Sequence, residues 1–191
     1  GTTGDTIPHG LGVVPHFFLV KCRGAAGTAW ITYHHKNTSA PETDYLHLNA
    51  TDATADSVTR WNDTAPTTTL IELGSNSVVN QDDRTYVLYA WSSVQGYSKF
   101  GTYTGNGNAD GTFVYTGFRP AYLLVKNSGS GSSSAGWYIW DNKRPGHNLA
   151  TPGYMEANAT TAEATDKNMD LLSNGFKFRL NSTGVNLSGS T

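Results

Sequence analysis

Apolar residues in this chain come in short runs, separated by stretches rich in Gly, Ser, Thr, Asn and Asp. Residues 28–35 set the pattern: Trp30, Thr32 and His34 point one way, and Ile31, Tyr33 and His35 the other, the period of two expected of a strand. Strands are predicted near Thr6-Ile7 and over residues 16–22, 28–35, 44–49, 58–61, 68–73 and 84–92. In the second half they are predicted over 97–103, 112–115, 121–126, 136–141, 153–157, 169–172 and 176–180. Ser173-Asn174-Gly175 reads as a hairpin turn whose Asn-Gly suits positive φ. The only helix the pattern suggests lies around residues 160–168. Strands at this spacing predict an all-β chain of antiparallel β-sandwiches.

The pattern occurs twice. Gly12-Val13-Val14-Pro15-His16-Phe17-Phe18-Leu19-Val20-Lys21 is matched by Gly117-Phe118-Arg119-Pro120-Ala121-Tyr122-Leu123-Leu124-Val125-Lys126, with Gly, Pro, Leu, Val and Lys in register at an offset of 105 (117 − 12). Trp30-Ile31-Thr32-Tyr33 matches Trp137-Tyr138-Ile139-Trp140 at 107 (137 − 30), and residues 45–51 match 154–160 at 109 (154 − 45). The period is too long for a solenoid. It predicts two tandem, duplicated sandwiches of jelly-roll or lectin-like type, residues 1–95 and 96–191, with Pro15 superposing on Pro120 and Trp30 on Trp137. Residues 186–191 occupy the place that leads into the strand at 86–91 in the first half, and the strand expected at 97–103 has no counterpart before Gly1. Each half therefore lacks one strand. The expectation is that the full-length protein continues past Thr191 and begins before Gly1, or that neighbouring chains fill the open edges.

Composition narrows the chemistry. Charged residues are 15% of the chain and the formal balance is 13 − 15 = −2, with no basic run, so nucleic acid is not expected as a partner. The single cysteine, Cys22, excludes an internal disulfide and argues against a thiolate metal site. No apolar run is long enough to insert in a membrane. Nucleophile-elbow, zinc-protease and phosphate-loop motifs are absent, and Gly105-Asn106-Gly107-Asn108-Ala109-Asp110 carries only part of a dinucleotide fingerprint, with no helix to follow. Glu42, Glu72, Glu156 and Glu163 form no recognisable catalytic pair. The chain is therefore read as a non-enzyme with no cofactor. The alternative at the glycine loop is calcium, with Asn106, Asn108 and Asp110 as ligands, although the twelfth position, where a bidentate carboxylate belongs, is Gly117. The histidines, His9, His16, His34, His35, His47 and His147, show no metal-ligand spacing; His34 and His35 face opposite sides of their strand.

With 5 Trp, 10 Tyr and 7 Phe, aromatics are the most informative surface chemistry. Phe17, Tyr122, Phe176 and Phe178 are assigned to the core, and so are Trp30 and Trp137, which recur at one position. Tyr33 and Trp140 lie on the opposite strand face and are predicted to be the more exposed. That makes Tyr33-His34 and Trp140-Asp141-Asn142 candidate glycan platforms, with Trp61-Asn62 as a second site. In such a platform a ring stacks on a sugar while amides, carboxylates and hydroxyls bond the sugar hydroxyls.

Ile7-Pro8-His9-Gly10-Leu11-Gly12-Val13-Val14-Pro15 resembles the His-Gly-Leu-Gly-x-x-Pro opening of receptor-binding and tail-fibre modules of tailed bacteriophages. Residues 96–107, Gly117-Phe118-Arg119-Pro120 and Leu172-Ser173-Asn174-Gly175-Phe176-Lys177 resemble a tandem-repeat domain of marine phage virion proteins, often found beside lectin domains. These motifs are turns and strand openings and bring no binding residues with them. The resemblance implies an extracellular, virion setting and a lectin-like sandwich. The functions expected, in order, are receptor binding to a host surface polysaccharide or glycan, a structural fibre-building domain that pairs with other copies or other virion proteins as a homotrimer or fibre, and a polysaccharide depolymerase.

Overall fold

A computed structural model describes residues 1–144, 148 and 152–190. His147 lies outside the described residues. Thirteen strands are formed among the described residues: β1 (Asp5–Pro8), β2 (Phe17–Cys22), β3 (Trp30–His34), β4 (Asp44–His47), β5 (Ala55–Asp56), β6 (Leu70–Leu73), β7 (Tyr86–Trp91), β8 (Phe113–Tyr115), β9 (Tyr122–Lys126), β10 (Trp137–Asp141), β11 (Met155–Glu156), β12 (Met169–Leu172) and β13 (Gly175–Phe178). All their pairings are antiparallel. The chain is all-β.

The chain forms two compact units that are not contiguous halves. Asn49–Ala53 and Gln95–Ser98 belong with the second unit, and Lys99–Gly101 with the first. The first unit has a five-stranded sheet, ordered β5-β4-β3-β2-β7, and a two-stranded sheet, β1-β6. Both contribute to one core: Phe18 and Val20 of β2 and Ile31 and Tyr33 of β3 pack with Ile71 and Leu73 of β6, Trp61 and Val79. The second unit has two three-stranded sheets, β11-β10-β9 and β12-β13-β8. Its core joins Val125, Tyr138 and Trp140 to Met169, Leu171, Phe176 and Phe178.

Three local expectations are corrected. Residues 58–61 are a helical turn, α1 (Val58–Trp61), not a strand. Asn62 closes it at φ 52°, a left-handed position that Asn tolerates, and the turn swings Trp61 inward, where its Nε1 donates to the Asp44 carbonyl at 2.8 Å. Residues 160–168 are not helical; Ala164 bridges to Tyr154. Residues 97–103 form no strand. The turn at 173–174 also works differently from expectation. Leu172 pairs with Gly175, and no residue there takes positive φ. A type I turn with Gly at its fourth position fits this geometry. Gly175 is needed for space, since a Cβ there would stand 2.1 Å from the Val114 carbonyl oxygen of β8.

The units share internal arrangements. Lys21 pairs across the ladder with Trp30, and Lys126 pairs with Trp137. Asn80 Nδ2 donates to the carbonyls of Thr2 (2.9 Å) and Gly74 (3.2 Å), and Asn186 Nδ2 to those of Asn108 (2.8 Å) and Leu180 (2.9 Å). Every member of the second set is 106 residues beyond its counterpart (186 − 80, 108 − 2, 180 − 74). The turns that carry these amides match as well: Asn80 N–H donates to the Asn76 carbonyl, and Asn186 N–H to the Ser182 carbonyl, both at 2.8 Å.

Candidate functional site

The expected platforms are buried. Tyr33 is 3% exposed, Trp140 1% and Trp61 1%, so none offers a ring face to a sugar. The reason is which strand face meets the second sheet. Ile31 and Tyr33 lie on the core side with Phe18 and Val20, and Trp140 lies against Tyr138, Tyr154 and Phe178. Trp137 is buried, as expected, while Trp30 is only half-buried.

The polar members of those platforms are engaged elsewhere. Asn62 donates to Glu72 at 2.7 Å. Asp141 accepts from the backbone N–H groups of Lys143 and Arg144 at 2.9 Å and from the Arg144 guanidinium, which together hold its carboxyl below the usual range despite partial burial. Asn142 uses its backbone N–H to cap the ladder on the Ala121 carbonyl.

The glycine loop has likewise spent its oxygens. Asn106 Oδ1 accepts from Asn108 N–H, Asn108 Oδ1 accepts from Asp110 N–H, and the Asp110 carboxylate pairs with Lys177 at 2.6 Å and Arg179 at 3.4 Å. The amides form successive Asx turns and the carboxylate is turned toward cations, so the set does not converge on a calcium ion. Among the described residues no three His, Cys, Asp or Glu side chains gather into a metal-holding group. Glu163 pairs with Arg144, and Glu72 accepts from Asn62.

One group of neighbouring, partly exposed aromatic rings lies on the face of the five-stranded sheet turned away from the first unit's core; Tyr97, Phe113, Tyr115 and Tyr122 are exposed singly elsewhere. Alternation puts Phe17, Leu19 and Lys21 of β2 there, with Trp30, Thr32 and His34 of β3 and Val87, Tyr89 and Trp91 of β7. Register sets three cross-strand rows: Trp30–Lys21–Val87, Thr32–Leu19–Tyr89 and His34–Phe17–Trp91. The face is closed over its middle, where Leu19, Thr32 and Leu46 are buried, and it opens at the β7 margin, where Tyr89 is 46% and Trp91 40% exposed. The rings line up. Trp30 and Tyr89 lie 6.5 Å apart with planes 22° off parallel, and Tyr89 and Trp91 lie 6.0 Å apart and 17° off. Trp91 leans on Phe17 (5.7 Å), which stacks on Phe100 (5.6 Å, 11°). The strip is therefore a run of near-parallel aromatic rings braced from one end. The sequence signal was available in the alternating Tyr89-Ala90-Trp91, but the pattern alone does not say which strand is the margin.

Beside the strip stand three histidines. The rings of His16 and His35 meet edge to face at 4.3 Å, and those of His34 and His35 lie 5.3 Å apart. His16 accepts from Ser93 N–H (2.9 Å) and His34 from Lys36 N–H (3.2 Å), bonds that need unprotonated nitrogens. Burial, aided by the neighbouring histidines and Lys36, pushes His34 down to about 4; His16 and His35 are lowered as well, chiefly by burial. The unfolded chain takes up these protons first. The stabilisation is thus complete above about pH 6.5 and is lost as pH falls toward 4. At about 1.4 kcal/mol per pH unit, His34 alone is expected to cost the first unit about 3 kcal/mol by pH 4. Urea unfolding at a series of pH values checks this. His34→Gln should flatten the dependence between pH 4 and 6.5, and an unchanged slope would refute the assignment.

Over residues 1–191 the chain matches the family described as a domain of unknown function, DUF7483, and it belongs to that family. No curated protein and no solved structure matches it.

Proposed function

We propose that this chain is a non-catalytic recognition module of a phage virion, presented on a tail fibre outside the cell, which attaches to a glycan of the host surface. The observation that carries the reading is the exposed strip Trp30–Tyr89–Trp91. The C–H face of a pyranose is apolar and flat, and it gains from covering an aromatic ring already held in place. Side chains with few rotatable bonds lose little entropy when they bind. The Tyr89 hydroxyl and His34 stand at the strip to meet sugar hydroxyls. Such contacts are shallow and individually weak, and repetition along a multimeric fibre multiplies them by effective concentration. The low charge and hydroxyl-rich surface suit a neutral polysaccharide better than nucleic acid.

A glycan array probed with the whole chain tests the proposal. Binding to one class of glycan is expected, reduced at least about tenfold by Trp91→Ala or Tyr89→Ala (roughly 1.4 kcal/mol). Both rings are partly exposed, so each variant should cost less stability than truncation of a buried ring, and Trp91→Ala more than Tyr89→Ala because Trp91 covers Phe17. A blank array, or binding that both variants leave intact, would overturn the reading. Release of reducing ends from a bound glycan would favour the depolymerase instead.

A further inference from the structure

We propose that the open edge of β9 is a docking site for an extended polypeptide segment whose side chains alternate as those of β7 do. The inference rests on backbone geometry and is independent of the glycan strip.

β2 shows what this edge holds when it is filled. His35 N–H donates to the His16 carbonyl, continuing the β2–β3 register, so the backbone groups of 18 and 20 turn toward β3, while the His16 N–H itself goes to the Trp91 carbonyl. Arg23 N–H donates to the Thr85 carbonyl, continuing the β2–β7 register, so those of Phe17, Leu19 and Lys21 turn toward β7. β9 repeats the strand: Leu124-Val125-Lys126 stand 105 residues beyond Leu19-Val20-Lys21 (124 − 19). Its inner side is the same too. Asn142 N–H donates to the Ala121 carbonyl, so 121, 123 and 125 turn toward β10. The backbone groups of Tyr122, Leu124 and Lys126 then point the other way, where β9 is the last strand of its sheet.

Two observations mark this edge as unguarded. Tyr122 is 57% exposed, whereas Phe17, its counterpart, is 6% exposed beneath Trp91 of β7. Edge strands are commonly protected by proline, by a bulge or by a lysine over the edge. β9 contains no proline, and its one lysine is drawn away: Lys126 Nζ donates to the carbonyls of Thr51 (3.1 Å), Asn127 (2.9 Å), Ser130 (3.5 Å) and Ala135 (2.6 Å). The register of β7 on β2 sets the chemistry of the occupant. An aromatic residue stands opposite Tyr122, as Trp91 does opposite Phe17, and another opposite Leu124, as Tyr89 does opposite Leu19. Aliphatic or small residues between them, in the manner of Leu88 and Ala90, face the core side.

The test is a fluorescent peptide with the sequence of residues 84–92, carrying a solubilising lysine tag, titrated into the whole protein and read by anisotropy. Saturable binding is expected. N-methylation at the peptide residue equivalent to Tyr89, whose N–H would face β9, should weaken it at least tenfold; N-methylation at the Leu88 equivalent, which faces outward, should not. Leu124→Pro should also abolish binding, since it removes an outward N–H and leaves the β10 ladder paired. If Leu124→Pro fails to fold, the two methylated peptides decide the matter on the unmodified protein. No saturable binding, equal loss with both methylated peptides, or full binding to a folded Leu124→Pro protein would overturn the proposal. So would concentration-dependent dimerisation through β9 that the peptide does not compete with.

Discussion

Replacing Trp140 with alanine is expected to remove about 3–5 kcal/mol from the stability of the second unit. Its side chain is 1% exposed and lies within 6.0 Å, between ring centroids, of Tyr138, Tyr154 and Phe178. Those neighbours belong to both sheets of the unit, so the two layers cannot close over the void from one side. The indole Nε1 is buried with no hydrogen-bond partner among the described residues, so the loss is one of packing. Trp140→Phe isolates that point. It keeps an aromatic body and removes a buried unpaired N–H, whose desolvation costs about 1–3 kcal/mol, so it should cost far less than the alanine. Denaturant unfolding checks both variants, with signals from the two units fitted separately. A loss below about 1 kcal/mol for Trp140→Ala would mean that the ring is at the surface after all.

Asn186→Ala is expected to cost the same unit about 3–4 kcal/mol, from polar groups left unpaired. Asn186 is fully buried, and its amide donates to the carbonyls of Asn108 and Leu180 and to Asn106 Oδ1 while its oxygen accepts from Asn106 N–H at 3.0 Å. It ties the turn that carries Val185 to the loop at 105–111. For a unit of this size, such a loss lowers the melting midpoint by roughly 12–30 °C. Asn186→Asp should be no milder, because it presents an acceptor to two carbonyls. Asn80→Ala, at the matching place in the first unit, is expected to cost only about 1 kcal/mol, since Asn80 is half-buried and water can replace its amide. Equal effects at the two sites would contradict the difference in burial.

The fate of particular residues separates what was legible in the sequence from what was not. The strands at Phe17–Cys22 and Tyr122–Lys126 follow from runs of apolar residues and from the repeated Gly/Pro openings, which are local. The repeat predicts Tyr122 in the core like Phe17, yet it is exposed, because burial there depends on a neighbouring strand that, among the described residues, the first unit has beside β2 and the second lacks beside β9. Alternation predicts Tyr33 and Trp140 at the surface, and both are buried. β3 and β10 carry large side chains on both faces, so period-two reasoning divides the residues into two sets without saying which set meets the other sheet. Trp61 sits on a stretch short enough to read as a strand, and its helical turn is set by contacts with Asp44 and by the left-handed Asn62.

By itself the sequence determined the class of structure. Strand spacing, turn residues and low charge make an all-β chain, because alternation and turn chemistry act over a few neighbouring residues. Only the tertiary structure decided which face of each strand is covered and which strand ends a sheet. Those follow from contacts between residues far apart in the chain: Phe18 with Ile71, Trp140 with Phe178, β2 with β7, whereas among the described residues β9 pairs with β10 alone. The aromatic strip at Tyr89 and Trp91 and the open edge at Tyr122 and Leu124 are both products of that second level. They exist because a sheet must end somewhere, and the position of its end is not written in any single strand.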